Sequence, residues 1–192
     1  MNLQADFPGG QMNLAQFYER KGDPGRAESH YRQAVNFDER FNAARVNLAH
    51  LLNRKGQNQE AVQLFKTVID LEPEYGPAWY SLGLLMAETG QMAEAEKYLS
   101  KAAELDMQNP RIYYNWGLAL QQNGDRQRAE EVFIKGIDLH QNAADLYYAL
   151  CVLYVQQQEF DKAEKYAEKL LQLQPQNPQF QQLAQMVKRE VQ

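Results

Sequence analysis

Cysteine is all but missing from this 192-residue chain. Cys151 stands alone, which excludes an internal disulfide and every Cys-x-x-Cys chemistry and leans the chain towards a reducing compartment. Long apolar runs are missing too. The apolar stretches are short and broken by charge or Gln, and the first residues show neither a basic start nor a continuous apolar region. No membrane insertion and no signal peptide are therefore expected: a cytoplasmic location is favoured, and an extracytoplasmic one requires a signal-bearing part ahead of Met1. An excess of one charge is absent, since 20 Lys and Arg stand against 25 Asp and Glu with the signs interspersed. Nucleic acid is set aside as a partner, because no basic stripe is available to follow a phosphate backbone. Histidines number three, His30, His50 and His140, none with a second His or Cys at ligand spacing, so no metal is expected. Neither "DFPGGQ" nor "IKGID" has the spacing of a phosphate loop, and acid pairs such as Glu130 and Glu131 read as helix-surface charges. No cofactor and no catalysis are expected.

What is present is a period. Ala27, Ala61, Ala95, Ala129 and Ala163 stand 34 residues apart, and Gly22, Gly56, Gly90 and Gly124 keep the same interval. Cutting at Pro8, Asn42, Gly76, Pro110 and Ala144 divides residues 8–177 into units 8–41, 42–75, 76–109, 110–143 and 144–177 without insertion or deletion. Within each, apolar residues at helical spacing run, break at Gly and resume, which predicts two amphipathic helices joined by a short turn and an all-α array. Ala15, Ala49, Gly83, Gly117 and Cys151 share one place in the first helix, where a small side chain lets its partner helix approach and neighbours such as Phe65 or Phe133 fill the space beside it. Cys151 is thus expected as a buried, inert thiol. The glycines end first helices in the left-handed conformation, and Gln158 breaks the rule, so its turn is expected to be kept with some strain. Pro73 and Pro175 stop second helices. Tyr113, Tyr147, Trp79 and Trp116 are expected in the core. The stretch "PQFQQLAQMVKREVQ" in 178–192 predicts a capping helix, with Phe180, Leu183, Ala184 and Val187 inward. Residues 1–7 resemble the tail of an earlier unit, Gly9 and Gly10 are expected to delay the first helix, and the chain is expected to be a piece of a longer one.

The segment "AWYSLGLLMAETGQMAEAEKYLSKAAEL", Ala78 to Leu105, with weaker copies over 8–177, resembles the tetratricopeptide repeat (TPR) family. That resemblance implies a right-handed superhelix, an α-solenoid of helix-turn-helix repeats whose first helices line a concave groove, and a role in binding peptides or assembling proteins. Groove positions then fall in columns. Met12, Val46, Tyr80, Tyr114 and Tyr148 form the first; Asn13, Asn47, Ser81, Asn115 and Ala149 the second; Gln16, His50, Leu84, Leu118 and Val152 the third. Tyr offers a flat apolar face with a hydroxyl, and Asn a donor and an acceptor for an extended backbone. The candidate binding residues are Tyr80, Tyr114, Tyr148, Asn13, Asn47, Asn115, His50, Leu84 and Leu118, with Arg54 at a helix end for an acidic partner. The Asn column is similar to the ladder of peptide-reading arrays in glycosyltransferases that act on proteins. The cationic clamp that grips chaperone C-termini is absent: its comparable places hold Met12, Gln16, Asn47, Pro77 and Ser81.

Three roles remain. The first is a non-catalytic scaffold or adaptor that holds a protein or peptide partner in the groove. The second is a spacer or self-assembling element, forming a homo-oligomer through an uncapped N-terminal face. The third is an accessory arm of a larger protein, since "MNLAQFYERKGDPGRAESHYRQAV" looks similar to TPR arms that follow multihaem cytochrome domains.

Overall fold

The computed structural model describes residues 7–191; residues 1–6, most of the stretch read as an earlier unit's tail, lie outside it. Among the described residues it is built of helices: α1 (Pro8–Arg20), α2 (Pro24–Phe37), α3 (Asn42–Arg54), α4 (Asn58–Leu71), α5 (Gly76–Glu88), α6 (Met92–Leu105), α7 (Pro110–Gln122), α8 (Arg126–Leu139), α9 (Ala144–Gln156), α10 (Phe160–Leu173) and α11 (Pro178–Val191). The first helix of every pair is 13 residues long and the second 14, and each recurs at the 34-residue interval of the sequence. The second helices α4 and α10 end two residues before Pro73 and Pro175.

The turn inside each pair repeats one geometry. Gly124 has φ 88° and open space where a Cβ would be, and the next residue, Asp125, donates its N–H to the Leu120 carbonyl at 2.9 Å. That bond closes the orphan carbonyls at a helix end. Gln158 takes the same conformation with φ 62°, and Glu159 donates to the Tyr154 carbonyl at 2.9 Å, so the turn survives without glycine. Two second helices gain an N-cap as well: the carboxylates of Asp23 and Asp125 accept from the N–H groups of Arg26 and Arg128 at 3.0 and 3.1 Å.

The contacts form two compact units, Met1–Leu85 and Met86–Gln192, divided within α5. In the first unit α2 lies against both α1 and α3, and α3 against α4. Its core is the small pair Ala15 and Ala27, the equivalent Ala49 and Ala61, and the larger Tyr31, Phe65, Leu52 and Val68, all buried. In the second unit each helix from α6 to α11 packs on the next, and α7 also touches α9. Gly117 shows why its place is small. A Cβ there would stand 2.2 Å from the Phe133 ring of α8, well inside contact distance. Gly136 does the same service on the other side of α8, where a Cβ would meet Tyr113 Cβ at 2.7 Å and Leu146 Cδ1 at 2.9 Å. Tyr113 and Tyr147 are buried between helices as their places require.

Two expectations fail. Gly9 and Gly10 do not delay the first helix: α1 starts at Pro8, whose fixed φ suits a first helical position, and Gly10 is buried within it. Trp79 and Trp116 are half-buried rather than core. Trp79 donates its Nε1–H to the Pro73 carbonyl at 2.8 Å, while Trp116 keeps its Nε1 buried and the rest of the residue partly open.

Candidate binding cleft

In the second unit the first turns of α7 and α9 frame a cleft of about 230 Å³, lined by Arg111, Tyr114, Asn142, Asp145 and Gln174 among others. Local chemistry sets its walls. Pro110 opens α7, and Asn109 caps it by accepting from the Arg111 N–H at 3.1 Å. Asp145 lies in the first turn of α9, where the helix dipole favours a negative charge. The floor is fixed by the turn before α9, in which Ala143 donates to the His140 carbonyl at 2.9 Å, while His140 Nε2 lies 2.9 Å from the Met107 carbonyl. Tyr114 is half-buried, and burial, with Asp145 and Tyr148 nearby, holds its hydroxyl above the ordinary phenol range. It therefore stays a neutral donor and acceptor at any physiological pH.

The other candidates of this unit are placed differently. The hydroxyl of Tyr148 accepts a 2.8 Å hydrogen bond from Gln179 Nε2, and its half-buried ring lies 5.9 Å from that of Phe180, so α11 packs against one side of it. Asn115 donates its amide to the Arg111 carbonyl of its own helix at 2.9 Å. Leu118 is half-buried, and Ala149 is buried, which takes it out of the outward column.

In the first unit His50 and Ser81 meet, with Nε2 and Oγ 3.2 Å apart, and the imidazole stands edge-on to Phe65 at 5.2 Å. Ser81 and Val46 are buried, so their columns do not run outward without interruption. Tyr80, Asn47 and Leu84 are half-buried, and Asn13 is exposed. Arg54 pairs with Glu19 of α1, which also accepts from the Tyr31 hydroxyl. Gln156 and Gln121 repeat this contact one residue more than a period apart, at 2.7 Å, without charge. Arg54 thus joins two neighbouring first helices, and the acidic partner imagined for it is already supplied by the chain.

Arg111, Asn142, Asp145 and Gln174 were not singled out from sequence. The available signal was the second residue of each first helix, which reads Gly9, Ala43, Pro77, Arg111 and Asp145 and turns charged only in the last two pairs. Other hollows, at Gly56 to Gln63 and between α10 and α11, carry no aromatic wall.

Among the described residues, no group of three or more His, Cys, Asp or Glu is placed to hold a metal ion. His30 stacks flat on Tyr18 at 5.3 Å, with Nδ1 2.6 Å from Gln11 Oε1. Cys151 is buried, its thiol donating to the Ala163 carbonyl at 3.4 Å, and burial pushes its pKa up to about 12. Among those same residues, no helix is long and apolar enough to cross a membrane.

Models of the tetratricopeptide repeat match residues 52–114 and 120–187, and a second such model matches 12–43. No curated protein sequence matches the chain. Solved structures of similar fold include YrrB, described as a TPR protein with an unusual peptide-binding site, at 23% identity and a TM-score of 0.73 over 94% of this chain and 91% of that one. MamA from Desulfovibrio magneticus RS-1 aligns at 21% identity and a TM-score of 0.78 over 89% and 97%. A tetratricopeptide repeat protein from Parabacteroides merdae aligns at 17% identity and a TM-score of 0.81 over 98% and 74%. At these identities the likeness shows a common fold.

Proposed function

The chain belongs to the tetratricopeptide repeat family, whose fold serves protein interaction, and from that premise we propose that it is a non-catalytic adaptor holding a segment of a partner protein in the cleft around Tyr114. In this reading residues 8–177 are five repeats and 178–192 a cap. The observation that carries it is the state of Tyr114. It is a half-buried aromatic wall on the cleft with a neutral hydroxyl, whereas the hydroxyl of Tyr148, one repeat on and also half-buried, is taken by Gln179 of α11. An aromatic residue left open at the centre of a cleft is the kind of anchor that dominates interfaces. The peptide-binding site named for YrrB shows that a neighbour of this fold takes such a ligand. In the same unit Asn115 and Leu118 are read as secondary contacts, and Tyr80, Asn13, Asn47, His50 and Leu84 as contacts of the first unit taken by itself. The test is a peptide array probed with the full chain and with Tyr114→Ala. The variant should lose at least about tenfold in affinity for any peptide retained, the effect of removing a contact of roughly 1.4 kcal/mol. Retention unchanged by the substitution would remove the cleft from the function.

One observation supports a second reading, pairing with another copy through α1. Phe17 is 42% exposed, while its equivalents Leu51, Ala119, Leu153 and Val187 are exposed by 3% or less. Phe7 and Phe17 together leave apolar surface on this end. Sedimentation across a wide concentration range should then show a dimer that Phe17→Asp dissociates, and a monomer at every concentration would remove this reading.

A further inference from the structure

The two charged side chains of the cleft say what kind of segment it takes. Arg111 and Asp145 hold the same place in α7 and α9, and both line the cleft beside Tyr114. Both are exposed, and neither forms an ion pair with the other or with another described residue. Some charges of the second unit are paired, as where Arg128 of α8 bonds Glu96 of α6 at 2.5 Å. The fold does not need charge at this place, since earlier first helices carry Gly9, Ala43 and Pro77 there. One repeat on, Tyr148 is engaged by Gln179 and Phe180.

Building on the adaptor reading, we propose that the cleft selects an extended peptide segment bearing one acidic and one basic side chain, the acid paired with Arg111 and the base with Asp145, across the face of Tyr114. Neighbouring helices lie about 8–10 Å apart and an extended chain rises about 3.3 Å per residue, so the two charges of the ligand stand about three residues apart. The volume, about 230 Å³, falls below the roughly 300–1,000 Å³ of small-molecule sites and suits one side chain of a longer segment. For a chain running in one direction through the cleft, one order of acid and base sets opposite charges together and the reverse order sets like charges together.

The test uses acetylated, amidated twelve-residue peptides. Each carries one Glu and one Lys, one to six positions apart and in both orders, around a central Leu in an Ala and Gln background, and binding to the full chain is read by fluorescence anisotropy. The wild type should favour one order at a spacing near three by about tenfold over the reverse order. The exchanged variant R111D/D145R, its folding checked by circular dichroism, should favour the opposite order. An order preference that persists unchanged in the exchanged variant overturns the assignment, as does binding indifferent to the Glu and Lys. If that indifferent binding still weakens in Tyr114→Ala, the adaptor reading stands alone; if no peptide binds, both fall.

Discussion

Gln158 carries a φ of 62° in a turn whose counterparts are glycines with φ between 74° and 88°. A left-handed conformation costs a residue with a Cβ about 1–2 kcal/mol, and nothing else in the turn requires a side chain there. Gln158→Gly should therefore raise the stability by roughly 1 kcal/mol, read from the midpoint of urea unfolding; an unchanged or lowered midpoint would show that no strain is held in this turn. Cys151 reports burial in another way. Its thiol is pushed from 9.0 up to about 12 by the core around it, so in the pH range between those values the unfolded chain sheds a proton that the folded chain keeps. Stability contributed by the neutral thiol is complete below pH 9 and falls as the pH rises towards 12. Cys151→Ala should flatten the alkaline decline of the urea midpoint between about pH 9 and 11, and equal slopes in the two proteins would contradict the buried thiol. Buried tyrosines such as Tyr154, also held above their ordinary range, account for the slope that remains.

At the scale of an element, α11 falls in the register of the first helices. It keeps the inward residues of its kind, with Phe180 and Val187 buried where Leu146 and Leu153 are buried in α9. On the side where a partner helix would lie it carries Gln181, Gln185 and Lys188, at the places of Tyr147, Cys151 and Tyr154, and all three are exposed. That exchange of apolar for polar residues is what the proposed capping role requires. Phe180→Ala should cost roughly 3 kcal/mol in urea unfolding, because the ring both fills the last layer and covers Tyr148, whereas Gln185→Ala should stay within about 0.5 kcal/mol. Comparable losses from the two substitutions would mean that α11 is not one-sided.

For the whole molecule, protection should follow the number of faces each helix has covered. In the first unit α3 packs on α2 and on α4, while α1 packs on α2 and leaves Phe17 outward. In a chain of nearest-neighbour contacts a helix at an open end frays before one held on both sides. Hydrogen exchange of the α1 amides is expected to be at least about tenfold faster than that of α3, which corresponds to some 1.4 kcal/mol of local stability. Equal protection would require a cover on α1 that the described residues do not show, and would point to the second copy.

The period, the helix pairs, the small places and the left-handed turns were all legible in the residues, because each is a local demand made again every 34 positions. Repetition turns a weak signal at Ala61 or Gly90 into a strong one. The polar outer side of α11 was legible for the same reason, as a departure from an established pattern. The outward columns were only partly so: helical periodicity assigns a residue to a face, but whether that face is open depends on the neighbouring helix. Tertiary packing buried Val46, Ser81 and Ala149, drew Arg54 to Glu19, and set Gln179 and Phe180 of α11 against Tyr148, leaving Tyr114 on the cleft with Arg111 and Asp145. Those outcomes rest on contacts between residues about one repeat apart, whose side chains compete for the same space and the same hydrogen bonds. A single column of the sequence cannot express that competition.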